Sequence, residues 1–287
     1  MKKLNIVIKL LIINLAVFIL INLLHVFLYL FNAEDNFNHV IEFLAVPSGF
    51  RQLFMRLWSP FTYMFVHENF WHILGNMLWL YFLGTILNHY IKEKDFLGLY
   101  ILGGFAGAFA FVVAYNIFPV FSDIKDLSIA IGASASVTAI VLAVATYKPQ
   151  HEINLFGILP IKLFIIAIVV VVIDIFRLRS DNSGGHFAHL GGAVFGFIYG
   201  WYLRKGVTLF PKFANFTARL FTVDFTPKSK MKVVKNNLRT KNDYDYNVSK
   251  NDIKQEIDRI LDKISQSGYQ SLSNKEKDYL KKFGKNL

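Results

Sequence analysis

Residues 131–140 read IGASASVTAI, from Ile131 to Ile140. Two serines, Ser134 and Ser136, stand among residues no larger than alanine at the head of an apolar run. A hydroxyl in hydrocarbon is costly unless it finds a partner. Residues two apart on a helix point to different faces, so only one serine can meet a given neighbour. The stretch Gly132 to Ser136 suits close helix packing, and it suits equally a helix that must let another side chain reach a serine.

The surroundings decide that this run belongs in lipid. The chain has 287 residues, 54% of them hydrophobic and 16% aromatic, with mean hydropathy +0.40. The apolar residues gather in six runs at about 9–31, 70–88, 96–118, 129–147, 157–177 and 186–203, each near the length that crosses a ~30 Å core. The expected architecture is therefore an all-α membrane protein, a six-helix transmembrane bundle. The first run follows Lys2 and Lys3 as a signal peptide would, but it is too long and lacks a small-residue cleavage site, so it reads as a retained anchor. The absence of cysteine removes disulfide, thiolate and thiolate-metal chemistry.

Charge sets the orientation. From Arg204 onward there are 19 Lys/Arg against 9 Asp/Glu, while the first 203 residues are nearly neutral. A basic tail beside a membrane domain fits anionic lipid on the cytoplasmic side better than nucleic acid, and no nucleic-acid partner is expected. With the N-terminus inside, the short inner stretches hold Lys2, Lys3, Lys9, Lys92, Lys94, Lys148, Lys162, Arg204 and Lys205. The outer ones hold Arg51, Arg56, Lys125, Arg177 and Arg179. Both termini are then cytoplasmic, in a multi-pass protein expected in the cell inner (plasma) membrane, and the second, fourth and sixth segments enter from outside.

Three parts follow: a membrane domain over 1–205, a basic juxtamembrane linker over 206–249, and a helical hairpin over 250–287. The loop from about Asn32 to Asn69 carries Phe50, Phe54, Trp58, Phe61, Tyr63 and Phe65, and such rings belong partly in the membrane interface. In the tail, Ile253, Ile257, Ile260, Leu261 and Ile264 share one helix face. Gly268 suits the end of that helix, and Ser273-Asn-Lys-Glu276 is a capping box opening a second. Two short helices bury little, so this hairpin needs a cytoplasmic partner or the membrane to cover it. The sequons Asn215-Phe-Thr217 and Asn247-Val-Ser249 carry no meaning on that side.

Polar residues inside spans are functional candidates by default. His72 and Asn76, four apart, share a face near the outer end of the second segment, either as interhelical glue or as a paired donor set. His67 reads as loop or interface. In HFAHLGGAVFGFIYG, His186 and His189 precede Gly192, Gly196 and Gly200, a four-residue stripe on which another backbone can lie. Ser134, His189, His72 and Asn76 each fall in the first turns of a segment entering from outside, so they lie at one depth. Together they supply a nucleophile, a base and oxyanion donors. Asp174, the acid near the outer end of the fifth segment, reads as structural or interfacial rather than as a third catalytic member. Two histidines without a convergent carboxylate or thiol make a poor zinc site, so neither metal nor cofactor is expected. A transporter using the histidines as a proton relay would spread ionisable groups across the membrane depth, whereas these cluster.

This order of motifs resembles the rhomboid family of intramembrane serine proteases over roughly residues 5–203: His-x-x-x-Asn on the second span, Gly-x-Ser on the fourth, and a histidine before paired glycines on the sixth. The resemblance implies a six-span rhomboid-like bundle in which Ser134 is the nucleophile and His189 the general base and later acid. His72, Asn76 and the backbone N–H of Ser134 would hold the oxyanion, and Gly132, Gly192 and Gly196 would let the helices approach. It further implies transmembrane protein substrates cut near the outer face, an embedded first loop, and the fifth segment as a lateral gate. Three positions depart from the family pattern. Ala135 follows the nucleophile where glycine is common, Thr138 stands where a ring often stacks on the base, and Ser59 follows Trp58 where a Trp-Arg pair is usual. A catalytically inactive relative that binds transmembrane helices is the alternative, and the presence of both Ser134 and His189 argues against it.

Overall fold

The computed structural model describes residues 4–155, 159–221 and 243–283. The chain divides into two compact units, Met1–Phe225 and Thr226–Leu287. Lys2, Lys3, residues 222–242 of the basic linker and the side chains of Asn247 and Ser249 lie outside the described residues.

In the first unit, α1 (Ile6–Leu30) begins at Asn5, whose side-chain oxygen accepts from the Ile8 N–H at 2.9 Å. Only Ile6, Val7, Leu10, Asn14 and Ile21 of α1 are buried. Its remaining apolar surface is left for lipid. The loop that follows is folded into α2 (Asp35–Leu44), β1 (Val46–Pro47), α3 (Phe50–Met55) and α4 (Ser59–Thr62). Side chains of its second half tie the first: Arg56 donates to the Glu42 carbonyl at 2.7 Å, Trp58 Nε1 to that of Phe43 at 2.9 Å, and Thr62 to that of Leu44 at 2.7 Å. Phe50, Phe54 and Trp58 keep their rings exposed.

Next come α5 (Phe70–Asn88), α6 (Glu93–Ile117), β2 (Ile129–Ala130) and α7 (Ser134–Tyr147). The helices α1, α5 and α6 are each long and apolar enough to cross a membrane, and α7 is a shorter apolar helix. After α7, β3 (Glu152–Leu155) pairs antiparallel with β4 (Leu159–Lys162), and then follow α8 (Leu163–Phe176), α9 (Ser183–Arg204) and α10 (Pro211–Phe221). Two boundaries differ from those expected. The fourth helix starts at Ser134 rather than near 129, because Ile129 and Ala130 pair with Pro47 and Val46 and Gly132 then turns the chain at φ +120°. The fifth starts at 163 because the residues before it form the β3–β4 hairpin.

Helix α7 is the centre of the bundle: every residue from Ala135 to Ala145 is buried. A helix buried all round needs small neighbours, and two glycine stripes supply them. A Cβ placed on Gly192, Gly196 or Gly200 of α9 would stand 2.2, 2.1 and 2.5 Å from the carbonyl oxygens of Ala135, Ala139 and Ala143. The two helices therefore meet backbone to backbone, in register, every fourth residue. On the other side a Cβ on Gly103 or Gly107 of α6 would lie 2.4 or 2.3 Å from the methyls of Ala139 and Ala135. The glycine stripe legible in the sixth segment is thus the main seam of the fold.

In the second unit, α11 (Asp243–Ser267) ends at Gly268, whose φ of +78° suits glycine. The capping box opens α12 (Asn274–Phe283): the Ser273 N–H donates to Glu276 Oε2 at 2.8 Å and the Glu276 N–H to Ser273 Oγ at 3.3 Å. Ile257, Ile260 and Leu272 are buried between the helices.

Candidate active site

Ser134 is the first residue of α7, so the backbone N–H groups of the first turn lack intrahelical partners. Two contacts with distant segments and one glycine set this position. The β1–β2 pairing runs to Ala130, the Gly132 N–H donates to the Tyr63 carbonyl at 2.9 Å, and the positive φ at Gly132 aims the chain into the helix. A Cβ on Gly132 would lie 2.7 Å from His72 Nε2 and 3.7 Å from Ser134 Oγ. The imidazole of His72 and the serine hydroxyl therefore flank one small space.

Helix α5 is capped by Asn69, whose side chain accepts from the His72 N–H at 2.9 Å. One turn further in, Asn76 is buried, and its side-chain Nδ2 has no hydrogen-bond partner among the described residues. A buried amide donor left unpaired costs about 1–3 kcal/mol, which an arriving acceptor would recover. Beside His72 lies His67, with ring centroids 5.1 Å apart. His67 lies in the loop before α5 as its position suggested, but it is buried, and that burial, reinforced by the His72 imidazole, pushes it down to about 4.

The two serines part as their spacing requires. Ser136 faces α6, where a Cβ on Gly104 would stand 2.6 Å from its Oγ. It is buried without a hydrogen-bond partner among the described residues, a packing position. Ser134 alone stands with His72.

His189 sits one turn before Gly192, which lies on the Ala135 carbonyl, and so stands on the face of α9 turned toward the head of α7. Its Nδ1 is 2.8 Å from Asp174 Oδ1, and His186 Nδ1 is 2.7 Å from the same oxygen. Asp174 and His186 are buried, while the His189 side chain keeps 23% of its surface exposed. This corrects two expectations. Asp174 is buried against two imidazoles rather than lying at the interface, and a carboxylate does converge on the histidines: the ligand-type atoms of Asp174, His186 and His189 lie within 4.8 Å of one another. A metal there would have to replace two short N–H···O contacts. The sequence carried a usable signal, since an intramembrane carboxylate calls for a partner, and residues 174 and 186–189 flank one short turn. Thr138, at the position where a ring was considered, is buried in α7, and the ring beside His189 is His186, at 5.5 Å.

With this geometry in hand, the sequence comparisons fall into place: residues 55–206 match the rhomboid domain, more than half of the chain. The chain belongs to the rhomboid family. The chain is 30% identical over 160 residues to RHOMBOID-like protein 12, mitochondrial, of Arabidopsis thaliana, covering 53% of this chain and 48% of that protein. It is 31% identical over 147 residues to Rhomboid protein 1, mitochondrial, of Saccharomyces cerevisiae, covering 50% and 41%. It is also 31% identical over 147 residues to Presenilin-associated rhomboid-like protein A, mitochondrial, of Danio rerio, covering 50% and 36%. The matched region thus spans about half or less of each relative. All three are mitochondrial by name, which overturns the expectation of a plasma-membrane home. The physical reason is that lysine and arginine counts report which side a loop faces, not which membrane it crosses. Outside the rhomboid domain, residues 241–286 match a family of unknown function, DUF6576.

Proposed function

We propose that this rhomboid is an intramembrane serine endopeptidase that cuts transmembrane protein substrates near the end of the bundle where α5, α7 and α9 begin. The observation that carries the reading is the shared space at Gly132, flanked by the Ser134 hydroxyl and the His72 imidazole at the head of a helix. In the proposed reaction Ser134 Oγ attacks the scissile carbonyl while His189 takes its proton. The charge on the carbonyl oxygen meets the Ser134 N–H, His72 and the unpaired amide of Asn76. His189 then returns the proton to the leaving amine, and water resolves the acyl-enzyme by the same steps in reverse. The substrate helix must unwind locally, because a helical peptide bond is shielded, which favours cut sites with small or helix-breaking residues.

The test is cleavage of a single-span substrate by the purified full chain in detergent and in liposomes. Ser134→Ala and His189→Ala are expected to lose at least about a thousandfold in rate, Asn76→Ala about a hundredfold, and Ser136→Ala little. An active Ser134→Ala variant would refute the assignment. A wild type that binds single-span helices but cuts none would favour the alternative, a rhomboid-like protein that recognises transmembrane helices without hydrolysing them.

A further inference from the structure

We propose that Asp174 is a positioning residue for the base, holding His189 by Nδ1 so that Nε2 is the nitrogen left free to take a proton. The proposal rests on the reading of His189 as the general base and adds a third member, from α8, to the serine and histidine.

The geometry carries it. One carboxylate oxygen stands 2.7 Å from His186 Nδ1 and 2.8 Å from His189 Nδ1. A carboxylate only accepts when ionised, and a neutral imidazole carries its hydrogen on one nitrogen or the other. Nδ1–H donation to Asp174 therefore fixes the tautomer of His189 with its lone pair on Nε2. The same bond favours the imidazolium that forms when serine gives up its proton. His186, buried in the first turn of α9, uses the same oxygen and so limits rotation of the carboxylate about its own axis. The short link from Phe176 to Ser183, with a turn at Arg177–Arg179, keeps the end of α8 beside the start of α9. A carboxylate with a purely structural task would be as well served by backbone donors. Here both of its contacts at Oδ1 are imidazoles, and one of them is the only partly exposed ring of the pair.

The titratable groups facing His189 are Asp174 from α8, His186 from its own helix and His72 from α5. Arg177 and Arg179 lie exposed in the turn beside α9. Of these, Asp174 is the single acid in hydrogen-bond contact with the base. Removing its charge should make protonated His189 less favourable, so the acid limb of the rate profile should move to lower pH.

The experiment compares full-length wild type with Asp174→Asn and His186→Gln. For Asp174→Asn the expected results are a fall in kcat of about a hundredfold or more, KM within about threefold, and an acid limb lowered by about one pH unit. His186→Gln, which frees the carboxylate to rotate but leaves its charge and its contact with His189, should lose less than Asp174→Asn. Spectra of 15N-histidine-labelled protein read the same point without turnover: His189 should be Nδ1-protonated in wild type and lose that tautomer in Asp174→Asn. Inactive wild type would count against the protease reading alone, since the tautomer spectra would still decide the role of Asp174. Wild-type kcat in Asp174→Asn, or a lower melting temperature with an unmoved acid limb, would overturn the proposal. So would wild-type His189 protonated at Nε2. Stoichiometric zinc in the purified protein, with loss of activity on chelation, would overturn it in favour of a metal held by the same three residues.

Discussion

Helices α9 and α8 both pack on α7, yet they do so by opposite means. Along α9 the glycines at 192, 196 and 200 bring its backbone onto the carbonyls of Ala135, Ala139 and Ala143. Along α8 only Leu163, Ile166, Ala167 and Asp174 are buried, and an apolar cavity of about 420 Å³ opens among Leu142, Thr146, Ile168, Val172 and Phe197. The difference separates two tasks. The helices that carry Ser134 and His189 are fixed to each other by contacts that leave no room for adjustment, whereas the helix that carries Asp174 is joined mainly at its ends. Precision is concentrated where the proposed reaction brings Ser134 and His189 together, and slack is left in the wall beside them.

The largest expected effect comes from breaking the tight side. Gly196→Val places carbon atoms where a Cβ alone would be 2.1 Å from the Ala139 carbonyl oxygen. Since neither backbone can retreat without parting the seam, we expect destabilisation of at least about 3 kcal/mol, read as loss of folded protein in detergent melts. A melting point within a few degrees of wild type would mean that the seam is looser than described.

An intermediate effect tests the tight packing beside His72, at His67. Its folded-state value is about 4 against 6.5 for the free side chain. Between those values the unfolded chain binds the proton and the folded one does not, so stability falls as pH drops through that window and is fully present above it. The loss is of the order of 3 kcal/mol, and His67→Phe should remove that part of the pH dependence. Parallel melting curves for the two proteins between pH 7 and pH 4 would contradict the burial of a neutral imidazole.

The smallest effect belongs to the loose side. Ile168→Phe adds volume at the cavity and should change stability by less than about 1 kcal/mol, with cleavage retained. A large loss there would erase the contrast between the two helices.

Much of this contrast was legible in the residues themselves. The spacing of Gly192, Gly196 and Gly200 announces a close approach, and the apolar runs place the helices to within a few residues. The head of α7 was misplaced because a two-residue β pairing between Val46–Pro47 and Ile129–Ala130 has no periodic signal and joins segments far apart in the chain. The serine pair resolved as its spacing required, with Ser136 against Gly104. The burial of His67 and the histidine partners of Asp174 were not legible for a common reason: each residue was read by its own segment, while its surroundings come from other elements. Hydropathy locates a side chain along the membrane normal and says nothing about what lies across from it.

Gly132 has a consequence of its own. The spot its missing side chain would occupy, 2.7 Å from the His72 nitrogen and 3.7 Å from the serine oxygen, is also the neighbourhood in which the proposed reaction places the substrate's carbonyl oxygen. A single methyl at this position would act as a plug anchored to the chain, present at unit occupancy and unable to diffuse away. The empty side of one residue is thus a measure of the space that a substrate would enter in the proposed reaction, written in the protein as the absence of a carbon atom.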